Sequence, residues 1–418
     1  MKIVEKYKSV SLIVRILCGL VIGAVLGLLV KNLSVVPLLG TLFVGALKAI
    51  APVLVFVLVI SALAQGNSKL DRRFGLVLAL YMISTLLASI GGVVGSFLFP
   101  QTLVLTEAAE GAASAPTGVG EVLSNLLQNM VTNPVKAIAE GNYIGILFWA
   151  AAIGLAAKKL AGDGTKKVLK DFSDVISRIV RAIIELAPFG ILGLVYTNVA
   201  TNGLSIFTDY GRLLALLVGC MAAVALIVDP LLAAIVLRRN PYPLVWRCLK
   251  NSGITAFFTR SSAANIPVNM ELCEKLGLDP DMYAVSIPLG ATINMDGAAI
   301  TIAVMSLAAA NTVGVQVSFA TALLLAFVST LAACGASGVA GGSLLLIPMA
   351  CALFGVSADV AMQVVAVGFI VGVVQDSVET ALNSSGDVMF AATAEYAQWK
   401  KEGKPLPKFL GGTMETEI

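Results

Sequence analysis

Asp376, Thr380, Asn383 and Asp387 stand at i, i+4, i+7 and i+11 in an apolar run from about Val364 to Ala392. That spacing puts all four on one stripe of an α-helix. Glu379 joins the same side, and Asn294 with Asp296 forms a second polar focus in another apolar segment. An ionised carboxylate at the centre of a bilayer costs roughly 2.5–3.5 kcal/mol on the insertion scale, so it persists where it faces a partner, an ion or water. The stripe therefore reads as a cation or substrate pathway, with a structural polar contact between helices as the plainer alternative.

The groups that must be positioned lie in a very apolar chain. Hydrophobic residues make up 58% of the 418, charged residues only 13%, and mean hydropathy is +0.92, which predicts an all-α polytopic membrane protein. The net charge is +3, and Lys and Arg fall in short clusters between apolar runs, a pattern of topology and not of nucleic-acid binding. The chain has no histidine, which removes Ser-His and Cys-His nucleophile pairs and His-ligated metal centres. The dispersed Cys18, Cys220, Cys248, Cys273, Cys334 and Cys351 contain no CxxC and suggest neither a disulfide framework nor a zinc site. The first apolar run, Val10 to Val30, is long enough to span and shows no clear cleavage signal.

Apolar runs predict spans near residues 10–30, 42–65, 75–99, 141–157, 179–200, 211–237, 282–310 and from about 360. Lys2, Lys6 and Lys8, then Lys69, Arg72 and Arg73, then Lys158, Lys159, Lys166, Lys167 and Lys170, and finally Arg238 and Arg239 all fall on one side, expected to be cytoplasmic. The segment from Gln101 to Pro134 has no Lys or Arg and carries Glu107, Glu110 and Glu121, so it is expected outside. Lys400, Lys401, Lys404 and Lys408 return the C-terminus to the cytoplasm, giving a multi-pass inner (plasma) membrane protein with both termini cytoplasmic.

Two apolar segments are interrupted at their centres. TRSSAANIPVN (Thr259 to Asn269) breaks the segment at about 253–273, and CGASGVAGGS (Cys334 to Ser343) breaks that at about 325–353. Irregular backbone at membrane depth is tolerated where it is buried in protein or lines a cavity, so each is expected to be a re-entrant hairpin in place of a kinked span. Between them, SIPLGATINMDGAAITIAV (Ser286 to Val304) is interrupted at Asn294, Met295, Asp296 and Gly297, where local unwinding frees carbonyls as ligands. Oxygen donors of this kind suit sodium better than a transition metal.

These motifs in this order, TRSS, GATINMDG, GASGVAGG and DSVETALNSSGD (Asp376 to Asp387), resemble the dicarboxylate/amino acid:cation symporter family over essentially the whole chain. The resemblance implies eight transmembrane helices plus two re-entrant helical hairpins with inverted repeats, an elevator motion, co-transported sodium and a homotrimer. It divides the chain into a scaffold, about 1–65 and 141–200, and a transport part, about 75–100 and 211–395. One sodium site would use carbonyls of Gly290, Asn294 and Asn383 with the Asp387 carboxylate. A deeper one would use Asp296, the Asn294 amide, Tyr81, Ser84 and Thr85, and a late one the carbonyls of Thr292, Ala333, Cys334 and Ala336. For the substrate, Asp376 would hold the ammonium, while Asn383, Ser262 and the backbone near Val339 would hold the carboxylate, with Ser261 at the same hairpin tip.

Acidic-substrate members of the family place an arginine before the position of Thr380 and a threonine at that of Ala298; here Glu379 and Ala298 stand there. An acidic substrate side chain would then meet a like charge, which costs on the order of 4 kcal/mol at an effective dielectric of 20, about a thousandfold in affinity. A small neutral amino acid, serine or threonine, is the expected substrate, with Thr380 bonding its hydroxyl. Arg260 is expected to pair with Asp376 or Glu379 and balance the site. The rivals are a proton-coupled or dicarboxylate-carrying member of the same family, a passive channel, and an intramembrane aspartyl protease using Asp296 and Asp387.

Overall fold

The structure, a computed structural model, describes residues 7, 10, 12–30, 33–65, 72–105, 127–128, 130–140, 142–203, 206–334, 336 and 341–416. The described residues are helical, with no strand beyond an isolated bridge between Pro407 and Met414. The helices are α1 (Leu12–Leu29), α2 (Val35–Ala64), α3 (Arg72–Leu98), α4 (Pro134–Glu140), α5 (Tyr143–Leu160), α6 (Asp163–Ile184), α7 (Ala187–Asn202), α8 (Ile206–Ala223) and α9 (Asp229–Leu237). They continue as α10 (Tyr242–Cys248), α11 (Ile254–Thr259), α12 (Ser262–Lys275), α13 (Pro280–Ile293), α14 (Asp296–Thr312), α15 (Phe319–Ala333), α16 (Ile347–Ala352) and α17 (Ala358–Lys401). Starts are marked by polar caps: Ser261 Oγ accepts from Ala264 N, Asp279 from Asp281 N, Ser318 from Thr321 N and Ser357 from Val360 N.

By length and apolarity, four segments suffice to cross a membrane: Arg73–Leu98, Thr208–Leu237, Pro280–Thr312 and Ala358–Lys401. The bent pair α6 and α7 makes a fifth, so the eight predicted spans are not all present as unbroken rods. The expected span at 179–200 is instead the end of α6 and most of α7, bent by 49°. Pro188 in the first turn of α7 and the amphipathic character of α6 explain the miss, because an apolar window passes over the polar half of α6.

Two groups of helices pack internally. In one, α1 lies on α7, α2 on α5, α6 and α7, and α4 on α5 and α2; in the other, α3 and α17 pack around α14 with the remaining helices. The central pair α13 and α14 is the most enclosed, with 94% of its most apolar stretch buried inside the protein. Side-chain bonds fix which helix ends share a side. Gln65 Nε2 donates to Lys166 O (2.7 Å), Arg73 pairs with Asp279 (3.0 Å), Arg239 Nη1 donates to Leu410 O (2.8 Å) and Lys400 Nζ to Leu237 O (3.2 Å). At the other end of α3, Leu103 N donates to Thr312 Oγ1 (2.8 Å) and Gln101 O accepts from Asn311 (3.3 Å).

The break at TRSS reverses the chain. Ser252 and Asn269 are 17 residues apart, about 25 Å along a continuous helix, yet their side chains bond at 2.5 Å. Arg260, at φ 52°, makes the turn between α11 and α12. The segment leaves Arg239 and returns to Leu276, whose carbonyl accepts from Tyr396 at the same end of α17 (2.9 Å). Asn265 and Asn269 Nδ2 both reach Ser384 Oγ on α17 (2.8 and 3.0 Å), so a polar staple holds the reversed segment to that helix. Asn269→Leu strips this staple and leaves buried partners unsatisfied, which should cost about 1–3 kcal/mol; an unchanged midpoint in thermal melts of the purified protein would remove the staple from the account.

Candidate functional site

The four stripe residues lie on one side of α17, and all are buried: Asp376 is 2% exposed, Thr380 5%, Asn383 3% and Asp387 0%. Both interrupted segments converge on the first of them. Arg260 Nε, from the α11–α12 turn, donates to Asp376 Oδ2 at 2.6 Å, and Gly341 N, just before the second arm of the other segment, donates to Asp376 Oδ1 at 3.0 Å. Arg260 also donates to Gly372 O (3.3 Å), while its Nη1 is buried with no partner among the described residues. The guanidinium thus chooses Asp376, and no contact with Glu379 accompanies it. Gly341 sits at φ +74° with the Phe369 ring 2.9 Å from where a Cβ would stand, so glycine fits there as no other residue does. Val339 lies outside the described residues.

The second focus is the gap between α13 and α14. Asn294 (ψ 82°) and Met295 (ψ 52°) leave the helical region there, as the NMDG motif predicts. Asn294 Nδ2 donates to Asn383 O and to Asp387 Oδ1, both at 3.1 Å. Tyr81 Oη donates to Asp387 O (3.0 Å), and a Cβ on Gly290 would stand 2.6 Å from Asp387 Oδ1. Gly290, Asn294, Asn383 and Asp387 are therefore one cluster, and the Tyr81 hydroxyl reaches it at the Asp387 carbonyl. Asp387 Oδ2 and Asn294 Oδ1 are buried acceptors without a partner among the described residues, the state of two oxygens suited to a cation.

Below this cluster, Asp296 Oδ1 accepts from Thr85 Oγ1 (2.8 Å) and Oδ2 lies 2.9 Å from Ser84 Oγ. Ser84 also lies 2.6 Å from Asp229 Oδ1, and Asp229 is 2% exposed. Sequence reasoning passed over Asp229 as the tail of an apolar span, although a lone acid in such a run is itself a signal. At the tip of α15, Cys334 Sγ reaches Ile293 O (3.6 Å), bringing Cys334, Ala333 and Ala336 towards the end of α13 near Thr292.

Glu379 does more than present charge. Its Oε2 accepts from Gln375 Nε2 (2.5 Å), Thr301 Oγ1 (2.9 Å) and Ser343 Oγ (2.9 Å), tying α17 to α14 and to the second interrupted segment. Gln375, Thr301 and Ser343 are site residues that sequence reasoning did not name. Thr380 Oγ1 donates back to Asp376 O (2.7 Å), and Asn383 Oδ1 accepts from Gly297 N (2.8 Å), leaving Asn383 Nδ2 only the Met295 sulfur at 3.5 Å. Ser262 is buried at 3% exposure, and Ser261 caps α12 through Ala264 N (3.2 Å).

Gly290→Ala pushes a methyl against Asp387 and Tyr81, so thermal stabilisation of the purified protein by sodium should need at least tenfold more of the ion while helical content stays; an unchanged sodium response would contradict the cluster as a cation site. Arg260→Ala strands a buried Asp376 charge and should destabilise by about 3–5 kcal/mol. Adding Asp376→Asn to it should recover the melting temperature, and failure to recover stability would show that the ion pair is not what Arg260 supplies.

Known proteins bear on this geometry. The sodium:dicarboxylate symporter family matches residues 12–396. A protein named serine/threonine transporter SstT from Bifidobacterium adolescentis is 63% identical over 408 residues, covering 98% of this chain and 95% of the relative. Proteins of the same name from Streptococcus thermophilus and Streptococcus agalactiae are 55% identical over 400 residues and 56% over 401, each covering 96% of this chain and 99% or more of the relative. With the match running from α1 to Tyr396 in α17, this multi-pass membrane chain belongs to the sodium:dicarboxylate symporter family and is a transporter, not an enzyme.

Proposed function

We propose that the protein is a sodium-coupled symporter that takes up small neutral amino acids, L-serine and L-threonine, by an elevator-type alternating-access cycle. The observation that carries this reading is Asp376 held at once by Arg260 and by the Gly341 backbone, so that the tips of two hairpins close on one carboxylate. A zwitterion arriving there exchanges partners with these groups. Its ammonium takes Asp376, and its carboxylate takes Asn383 Nδ2, whose sulfur contact is weak, together with Ser262, Ser261 and the hairpin backbone near Val339. Thr380 meets the substrate hydroxyl. Glu379 favours a neutral side chain by its buried charge, in line with the names of the relatives.

Sodium, as co-substrate, fits the Gly290, Asn294, Asn383 and Asp387 cluster because its orphaned oxygens ask for a cation. Asp296 with Ser84 and Thr85 forms the deeper site, and carbonyls of Thr292, Ala333, Cys334 and Ala336 the last to form. The chain would use eight spans and two re-entrant hairpins, with α3 and α8–α17 moving against a scaffold of α1, α2 and α5–α7. Gly193 and Gly40 bring α7 and α2 into backbone contact, which suits a rigid scaffold. That scaffold is assigned to a homotrimer in the inner membrane, with the basic helix ends and both termini cytoplasmic.

In liposomes, serine uptake should follow an imposed sodium gradient and not an imposed proton gradient, and excess threonine should compete while aspartate should not. Uptake driven by protons, or strong aspartate inhibition, would favour the acidic-substrate reading. For Glu379→Gln, relief of the like charge should raise aspartate inhibition at least tenfold; no change would show that Glu379 acts through its hydrogen bonds and not through its charge.

A further inference from the structure

We infer that the start of α6, with the lysine-rich end of α5, is a binding site for anionic phospholipid headgroups, and that an open apolar stripe of α6 lies among the acyl chains beside them. Such a site stands whatever substrate or ion the protein carries. α6 has three faces. One, with Ile176, Val180 and Ile184, is buried where the helix packs on α2. A second carries Val168, Phe172, Val175 and Ile179, spaced i, i+4, i+7 and i+11, and these are 65%, 51%, 54% and 43% exposed. The third carries Lys167, Lys170 and Arg178, all exposed. An apolar stripe left open beside a basic face is the pattern of a helix that lies at a membrane surface.

Length places that surface. At 1.5 Å per residue, the 22 residues of α6 and the 16 of α7 run about 57 Å along their axes, against a hydrocarbon core of about 30 Å, so the start of α6 stands at headgroup level. Gln65, at the end of α2, holds Lys166 O there (2.7 Å). Between Lys158 and Lys170 the chain sets five lysines, Lys158, Lys159, Lys166, Lys167 and Lys170, against one carboxylate, Asp163. None of the five side chains makes an ion pair or hydrogen bond among the described residues. Leu160, 86% exposed, stands in the same cluster. An anionic phospholipid satisfies both needs at once: its phosphate oxygens accept from the lysines, and its acyl chains cover Leu160 and the stripe. A second copy docked symmetrically on this face would instead set lysines against lysines.

The purified full-length protein in detergent, titrated with phosphatidylglycerol or phosphatidylcholine, is expected to reach half-maximal thermal stabilisation at about tenfold less phosphatidylglycerol. Replacing Lys158, Lys159, Lys167 and Lys170 together with Gln should abolish that preference and leave the lipid-free melting temperature unchanged, because these side chains are exposed and lose no bond among the described residues. Arg at the same four positions should keep the preference. For the stripe, a fluorophore on the thiol of Val175→Cys, in a background without other cysteines and in phosphatidylglycerol vesicles, should be quenched by phospholipids that carry a spin label at the top of an acyl chain. Equal titrations with the two lipids, a preference that survives in the Gln variant, or one lost in the Arg variant would overturn the proposal. So would a label whose emission is blue-shifted yet unquenched, which would assign the stripe to a second copy of the chain.

Discussion

A single carboxylate, Asp376, is the point on which the rest of the structure depends. It accepts one charged hydrogen bond from a turn entering from the basic end of the molecule and one backbone hydrogen bond from a segment entering from the other end. Arg260 holds a left-handed backbone conformation to do this, an arrangement that costs of order 1–3 kcal/mol and that the ion pair offsets. Because Arg260 lies at a chain reversal and Gly341 just ahead of a short 3-10 turn, neither within a long helix, either can leave Asp376 while the helices behind it keep their packing. That separability is what a two-sided gate requires.

The remaining polar groups are arranged so that no carboxylate along α17 stands alone. Asp387 is paired with the Asn294 amide and Glu379 with Gln375 of its own helix, Thr301 of α14 and Ser343 of the second interrupted segment, while Asp296 of α14 lies against two hydroxyls of α3. All but the Gln375 bond join α17 or α14 to another segment, so the polar network also fixes the register of the apolar helices. The cavity of about 410 Å³ lies elsewhere, between α2, α7 and α17, lined by residues such as Thr41, Leu194 and Met362. It marks the seam between the two groups of helices and is distinct from the polar site.

Much of this was legible in the sequence, for physical reasons. The α17 stripe follows from helical periodicity, the α13–α14 break from Asn294 and Gly297, and the reversal at Arg260 from polar residues at the middle of an apolar segment. Partner choice was not legible. Whether Arg260 reaches Asp376 or Glu379 depends on the φ of one residue, and the placement of Tyr81 beside Asp387 depends on how α3 crosses α13. Asp229 was missed because its inward aim is set by a π-helical turn that no hydropathy window registers, and α6 because its apolar residues are spread along an amphipathic helix. The resemblance carried the sodium sets further than composition alone could, and the structure brings most of those residues into contact.

The most direct measurement of the shared carboxylate is the accessibility of the segment it holds. In a background without other cysteines, a thiol placed at Ser343, 1% exposed in this structure, reports whether the segment that follows Gly341 is shut against α17. The account predicts slow maleimide labelling when Asp376 is intact and labelling faster by tenfold or more in Asp376→Asn, where the Arg260 and Gly341 contacts are weakened together. Equal labelling rates in the two proteins would contradict it.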